Sequence, residues 1–344
     1  MIGATAAGPL NQATLITSFA QFQTTFGPLQ TTLELGYSVR LFFANGGQQC
    51  WVVRQGPQID TALNALDTVT ILNLLCAPGV TDNGLQAKIS ACAEKRQALA
   101  LLDVETAANP SALLQYAQSK TLTTSPNAAL FGPWLQLSDP VSGKNRTTAP
   151  SGAVAGVYAR LDAASGVWKS PAGQNANLMD ITGVAFAIST PQDTELANAA
   201  VNTIRTLPGA GTVIWGARTR SLTGDYKYIA VKRMALFLEQ SLTKGLPWVA
   251  FEPNAAPLWT LIRNAANSFL HGLFLQGVFQ GSTPQQAYLV KCDATTTTQP
   301  DINAGVLNVV VGFAPLKPAE FVILNLQFLA GNTTPASAER KLGQ

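Results

Sequence analysis

The chain has 344 residues, of which 47% are apolar and only 12% charged, with a net charge of +3. The charged share is about half of the ~25% usual in soluble domains, so amides, hydroxyls or neighbouring subunits must cover the surface. The charges are scattered rather than gathered in a basic patch, which argues against nucleic-acid binding. No window of ~18 uninterrupted apolar residues is present and the start MIGATAAGPL lacks a secretion pattern, so folding in a cytoplasm without membrane insertion is expected.

Residues 1–60 read as a small N-terminal unit. It holds a short capped helix over 17–22, a helix over 33–44 that stops at Gly46-Gly47, and a β-branched strand at 50–53. From residue 61 to 217, apolar strands at 69–75, 98–104, 128–137, 183–188 and 211–215 alternate with helices at 85–96, 111–119, 193–206 and from Pro150 onward. Near-continuous apolar strands spaced by helices predict an α/β unit with a mostly parallel sheet covered on both faces. A third unit runs over 218–330. Its strongest signal is the helix 231–244, where Val231, Met234, Ala235, Leu238 and Leu242 share one face while Lys232, Arg233 and Lys244 lie off it. A longer helix over 254–279 and strands at 288–292, 306–313 and 321–328 follow, then a polar tail, 331–344. The unit reads as α+β.

The stretch PSGAVAGVYARLDAASGVWKSPAG (150–173) poses the question of a glycine-rich phosphate loop. It has no Gly-Lys-Ser/Thr, and no Gly-x-Gly-x-x-Gly follows a strand anywhere, so nucleotide binding is excluded and no cofactor is expected. Gly152 and Gly156, four apart, instead mark one face of a helix where another backbone comes close; Ser151 is the expected N-cap, and Trp168 lies where the chain turns out. Asp103 at the end of an apolar strand would suit a hydrolase of the Ser-His-Asp kind. The one histidine, His271, sits in a predicted helix and no serine motif accompanies it, so Asp103 is read as a helix cap or strand terminator and no catalytic residue is assigned. Cys50, Cys76, Cys92 and Cys292 form no Cys-x-x-Cys pair and are read as free thiols; no metal site is expected.

Residues 150–173, together with VIWGARTRS (213–221), YIAVKRMALFLEQSL (228–242), PWVAFEPNAAPLW (247–259), FLQGVFQGSTPQQAYLVKCD (274–293) and GFAPLKPAEFVIL (312–324), resemble contractile tail sheath proteins in the same order. IGATAAGP and FFANGGQQCWVVR (42–54) extend the resemblance to roughly residues 2–328. These sheaths belong to phage tails, tailocins and extracellular contractile injection systems. The resemblance implies a subtilisin-like α/β domain without catalytic residues and a smaller C-terminal domain. It implies a subunit, not an enzyme, that stacks in hexameric rings around an inner tube on a baseplate, under a terminator or cap, and contracts to drive the tube through an envelope. In the family, terminal arms add strands to neighbouring subunits. Phe321, Val322, Ile323, Leu324, Leu326 and Phe328 fit such an arm, apolar on both faces. The helix bearing Lys232 and Arg233 is the candidate that faces the tube, with 254–279 as rival. The family's N-terminal arm precedes the position of IGATAAGP, so an unlinked monomer or a crystal-packed array is expected of this chain. A hydrolase of subtilisin-like topology and a monomeric binding module stand as competing functions.

Overall fold

The computed structural model describes residues 1–107, 109–119, 121–316 and 322–330, with the side chains of 322 and 323 set aside. In chain order its elements are β1 (Ile2–Gly3), β2 (Ala13–Ile16), α1 (Phe19–Phe26), α2 (Glu34–Ala44), β3 (Cys50–Arg54), α3 (Ile59–Asn64), β4 (Leu74–Cys76), α4 (Asn83–Lys95), β5 (Leu99–Asp103) and α5 (Pro110–Ala117). Then come β6 (Ala128–Gly132), β7 (Leu135–Ser138), β8 (Asn145–Thr148), α6 (Ser151–Ser165), β9 (Gly183–Val184), α7 (Thr190–Asn198), β10 (Val201–Leu207), β11 (Gly211–Ile214) and α8 (Ile229–Gly245). The last are α9 (Ala256–Leu275), α10 (Pro284–Ala287), β12 (Tyr288–Lys291), α11 (Gln299–Asn303), β13 (Val306–Phe313) and β14 (Val322–Leu329). The chain divides into two compact units, 1–233 and 234–344.

The first unit is built on a five-stranded sheet in the order β11-β10-β6-β5-β4. β4, β5, β6 and β10 run parallel, and β11 closes one edge antiparallel to β10. Every residue of β5 and β6 is buried, because helices cover both faces. The side chains alternate along β5. Leu99 and Leu101 join Phe131 and Ile204 under α2 and α6, while Ala100 and Leu102 join Leu130 and Val201 under α3, α4, α5 and α7. Residues 1–60 do not stand apart: Tyr37, Val39 and Leu41 of α2 share the first of these cores and Ile2 and Val53 the second. The division of the chain therefore falls after Arg233, rather than after 60 and 217.

Several elements differ from the sequence reading. The strand read at 183–188 is only β9, Gly183–Val184, and it pairs antiparallel with β7 in a separate sheet rather than joining the parallel one. The segment 69–73 is not strand; a 3-10 turn over Ala65–Thr68 precedes it, Val69 and Leu72 plug the core, and Ile71 points outward at 52% exposure. The apolar run 128–137 is two strands in two sheets, because Pro133 has no N–H for a ladder and the chain turns there. Residues 201–206, read as the end of a helix, form the strand β10, and the turn into it is made by Ala200 at φ 55°. An alanine there carries no local signal of a turn.

In the second unit, β12, β13 and β14 form an antiparallel sheet in that order. β13 and β14 pair over eight residues, from Val306 opposite Leu329 to Phe313 opposite Val322. Leu324 and Leu326 are buried, and Asn325 and Gln327 are exposed. The described part of this strand is therefore apolar throughout one face and mixed on the other, where Asn325 and Gln327 precede Leu329, rather than apolar on both. It pairs within its own chain; Phe321 and the tail 331–344 lie outside the described residues.

Candidate functional site

The corner where an α/β enzyme of this layout would carry chemistry is the C-terminal end of the parallel strands. Asp103 ends β5 on the same side as Leu99 and Leu101, so its carboxylate is aimed at the start of α6. There the Ser151 N–H donates to Oδ1 at 2.8 Å and the Ser151 hydroxyl to Oδ2 at 2.8 Å. The Gly79 N–H donates to Oδ2 at 3.0 Å. Ser151 is thus not the N-cap. Pro150 holds that position without a side-chain bond, and the cap comes from a strand 48 residues earlier. Asp103 is 1% exposed and Ser151 0%. Burial pushes the Asp103 carboxyl up to about 7, while the bonds from Gly79 and Ser151 pull the other way. Cys76 ends the adjacent β4, and burial pushes its thiol up to about 12. Aspartate and serine are bonded directly, with no base between them and no surface reaching either; this knot pins α6 to the sheet. His271, the single histidine, lies on α9 with Nδ1 3.3 Å from the Tyr288 hydroxyl. Among the described residues no cluster of His, Cys, Asp or Glu could hold a metal ion.

α6 crosses α2 at Gly152 and Gly156. A Cβ on Gly152 would stand 2.5 Å from the Ser38 carbonyl oxygen and 2.7 Å from Ser38 Cα. One on Gly156 would stand 2.3 Å from the Phe42 carbonyl oxygen. The obstacles are backbone atoms, so the two helices meet main chain to main chain. Val157 and Tyr158 fill the core beyond, and the ring of Trp168 lies against Gly166 where the helix ends.

α2 carries a second polar knot, against β7 and β8. Glu34 accepts from Arg146 Nη2 at 2.7 Å, from the Ala149 N–H at 2.7 Å and from the Thr148 hydroxyl. The Arg146 guanidinium sits 3.9 Å over the Tyr37 ring, whose hydroxyl donates to Asp139 at 2.7 Å. The Ser142 hydroxyl bond, with those of Tyr37 and Val141, holds the Asp139 carboxyl down to about 2. The segment 213–221 supplies a third. Arg220, 3% exposed, donates to the carbonyls of Thr123, Ala199, Ala200 and Ala117, while Arg218 donates to Ala197. Apart from that of Thr123, these carbonyls close α5 and α7, where a cation meets the negative helix ends.

Lys232 and Arg233, read from the sequence as an outward cationic pair, are 1% and 5% exposed. Arg233 is paired with Asp162 of α6 and Lys232 stands 4.7 Å over the Tyr226 ring, so neither presents charge to a partner. The sequence missed this because both partners are aromatic or acidic groups brought in by other elements. In the second unit the outward face of α9 carries Leu261, Ala265, Ser268, His271 and Leu275, with Leu261 54% and Leu275 73% exposed. Between Glu252 and Lys291 the only charged residue is Arg263, and it donates to the Cys292 carbonyl. Among the described residues no helix is long and apolar enough to cross a membrane.

Residues 53–220 match the family model of the phage tail sheath protein central domain. The tail sheath protein of Enterobacteria phage T4 is 25% identical over 213 residues, 61% of this chain and 31% of the phage protein. A putative prophage major tail sheath protein of Pseudomonas aeruginosa is 27% identical over 51% of this chain and 45% of its own length. The chain therefore spans less than half the length of these curated relatives. Among solved structures, a chain of the anti-feeding prophage baseplate, six-fold symmetrised, superposes with a TM-score of 0.78 at 26% identity, over 94% of this chain and 91% of the other. A chain of the contracted PVC sheath complex, an extracellular contractile injection system, superposes at 0.75 with 29% identity over 94% and 90%. The resemblance to contractile sheath proteins read in the sequence is borne out, and the mixed α/β fold is theirs.

Proposed function

We propose that this chain, whose residues 53–220 match the phage tail sheath central domain, is a structural subunit of a contractile sheath. The observation that carries the reading is the likeness over 94% of the chain to sheath and baseplate chains, one of them from a contracted sheath. In this reading copies assemble in a bacterial cytoplasm as stacked hexameric rings around an inner tube, start on a baseplate and end at a terminator. The stored energy is the difference between two packings of the same rigid units behind a kinetic barrier. No cofactor, nucleic acid or membrane insertion enters. The first unit's parallel sheet, read as subtilisin-like, serves as scaffold. The sealed Asp103–Ser151 pair supports a silent site, and a fluorophosphonate probe is expected to leave the chain unlabelled.

The C-terminal strand, with Phe321 and the residues that follow, is the proposed arm, and its sheet is the proposed site of strand addition from a neighbour. With Lys232 and Arg233 buried, the tube-facing role passes to α9, whose outward face is uncharged. The test is assembly: the chain is produced with its neighbouring gene products and imaged by electron microscopy. Sheaths are expected from the full chain, and a soluble but unpolymerised protein from the chain lacking 331–344, which keeps the pairing of β13 with β14. Normal sheaths from the truncated chain would refute the arm, and a full chain absent from particles that otherwise assemble would refute the sheath reading.

A further inference from the structure

Arg233 is the last residue of the first unit, and α8 continues beyond it. Its Nη1–H donates to Asp162 Oδ1 at 2.7 Å and its Nη2–H to Oδ2, a fork that only a guanidinium makes. The same guanidinium stands 5.4 Å over the ring of Tyr158, which is 0% exposed. Tyr158 and Asp162 are four apart on α6, so one face of that helix grips the arginine twice. The turn of α8 before it is held as well. Ile229 lies in the core with its N–H on the Ala217 carbonyl at 3.0 Å, and Lys232 lies over Tyr226. A buried ion pair adds little stability over an apolar contact of the same shape, yet it tolerates little displacement, because a shift of an ångström breaks both bonds. α6 in turn is seated main chain to main chain on α2.

We propose that Tyr158, Asp162 and Arg233 form a fixed mount that locks the first turn of α8 onto α6. The mount does not depend on the sheath reading. Hydrogen exchange followed by mass spectrometry on the full chain tests it. In Arg233→Met the stem still covers Tyr158, and Asp162, a quarter exposed, can turn to water, so the fold survives. Amides of residues 229–238 are then expected to exchange roughly ten-fold faster or more, while those of β5 and β6 keep their rates. Arg233→Lys, which keeps the charge without the fork, is expected to lose protection in the same segment. The swap of Asp162→Arg with Arg233→Asp is expected to recover part of it. Unchanged exchange at 229–238 in Arg233→Met, or equal acceleration in β5 and β6, would overturn the proposal, the second by reducing the pair to a contributor to global stability.

Discussion

Replacing Gly156 by alanine tests the crossing of α2 and α6 directly. The new Cβ would lie 2.3 Å from the Phe42 carbonyl oxygen, 2.9 Å from Asn45 Cβ and 3.0 Å from the Phe42 carbonyl carbon. Ordinary contact needs about 3.5 Å or more, so α2 must retreat by roughly 1 Å. Overpacking costs about 1–3 kcal/mol, and because the nearest obstacle is backbone that cannot rotate away the upper part of that range, about 2–3 kcal/mol, applies; alanine returns about 1 kcal/mol of helix propensity. A net loss of about 1–2 kcal/mol is expected, which moves the urea midpoint of the first unit by roughly 0.5–1 M. Gly152→Ala should behave alike. The double variant should lose less than the sum, because one displacement of α2 relieves both clashes. Leucine at either site has no space and should prevent the native packing of the first unit. Far-ultraviolet circular dichroism and tryptophan fluorescence against urea supply the measurement, with the two units fitted as separate transitions. A Gly156→Ala protein as stable as the parent, or more so, would refute the close approach.

Four further outcomes follow from the same contacts. Because the folded carboxyl of Asp103 sits near 7 and an unfolded aspartate near 3.9, the folded state holds the extra proton between those values; stability from this group should be greatest below about pH 4, fall by up to a few kcal/mol as pH rises to about 7, and stay level above, and Asp103→Asn should remove that slope in thermal melts. Arg220→Met leaves four carbonyls without their donor and should destabilise the first unit by about 2–4 kcal/mol, measured by the same urea titration. Burial holds the thiol of Cys76 up to about 12, so a disulfide reagent at pH 8 should not label it until the chain unfolds; rapid labelling of Cys76 would show that the first unit opens. Leu261→Asp with Leu275→Asp on α9 should leave a folded, soluble chain that fails to co-assemble with tube protein, and unchanged co-assembly would remove α9 from that role.

Much of this protein was legible in residue order because its signals are local. The period of Val231, Met234, Ala235, Leu238 and Leu242 marks α8, and uninterrupted apolar runs mark β5 and β6 as strands buried on both faces. Missing motifs excluded a nucleotide loop, and long segments in order carried the resemblance to sheath proteins. The tertiary structure alone decided what the polar groups do. Asp103 caps a helix 48 residues away, Arg233 meets Asp162 71 residues back, and Arg220 gathers carbonyls from 20 to 103 residues distant. A buried charge is tolerable only beside the group that satisfies it, and that group is chosen by the packing of helices on a sheet. Apolar periodicity reports which way a side chain faces on its own element. It cannot report that the space it faces is filled by an acid, an aromatic ring or the end of another helix.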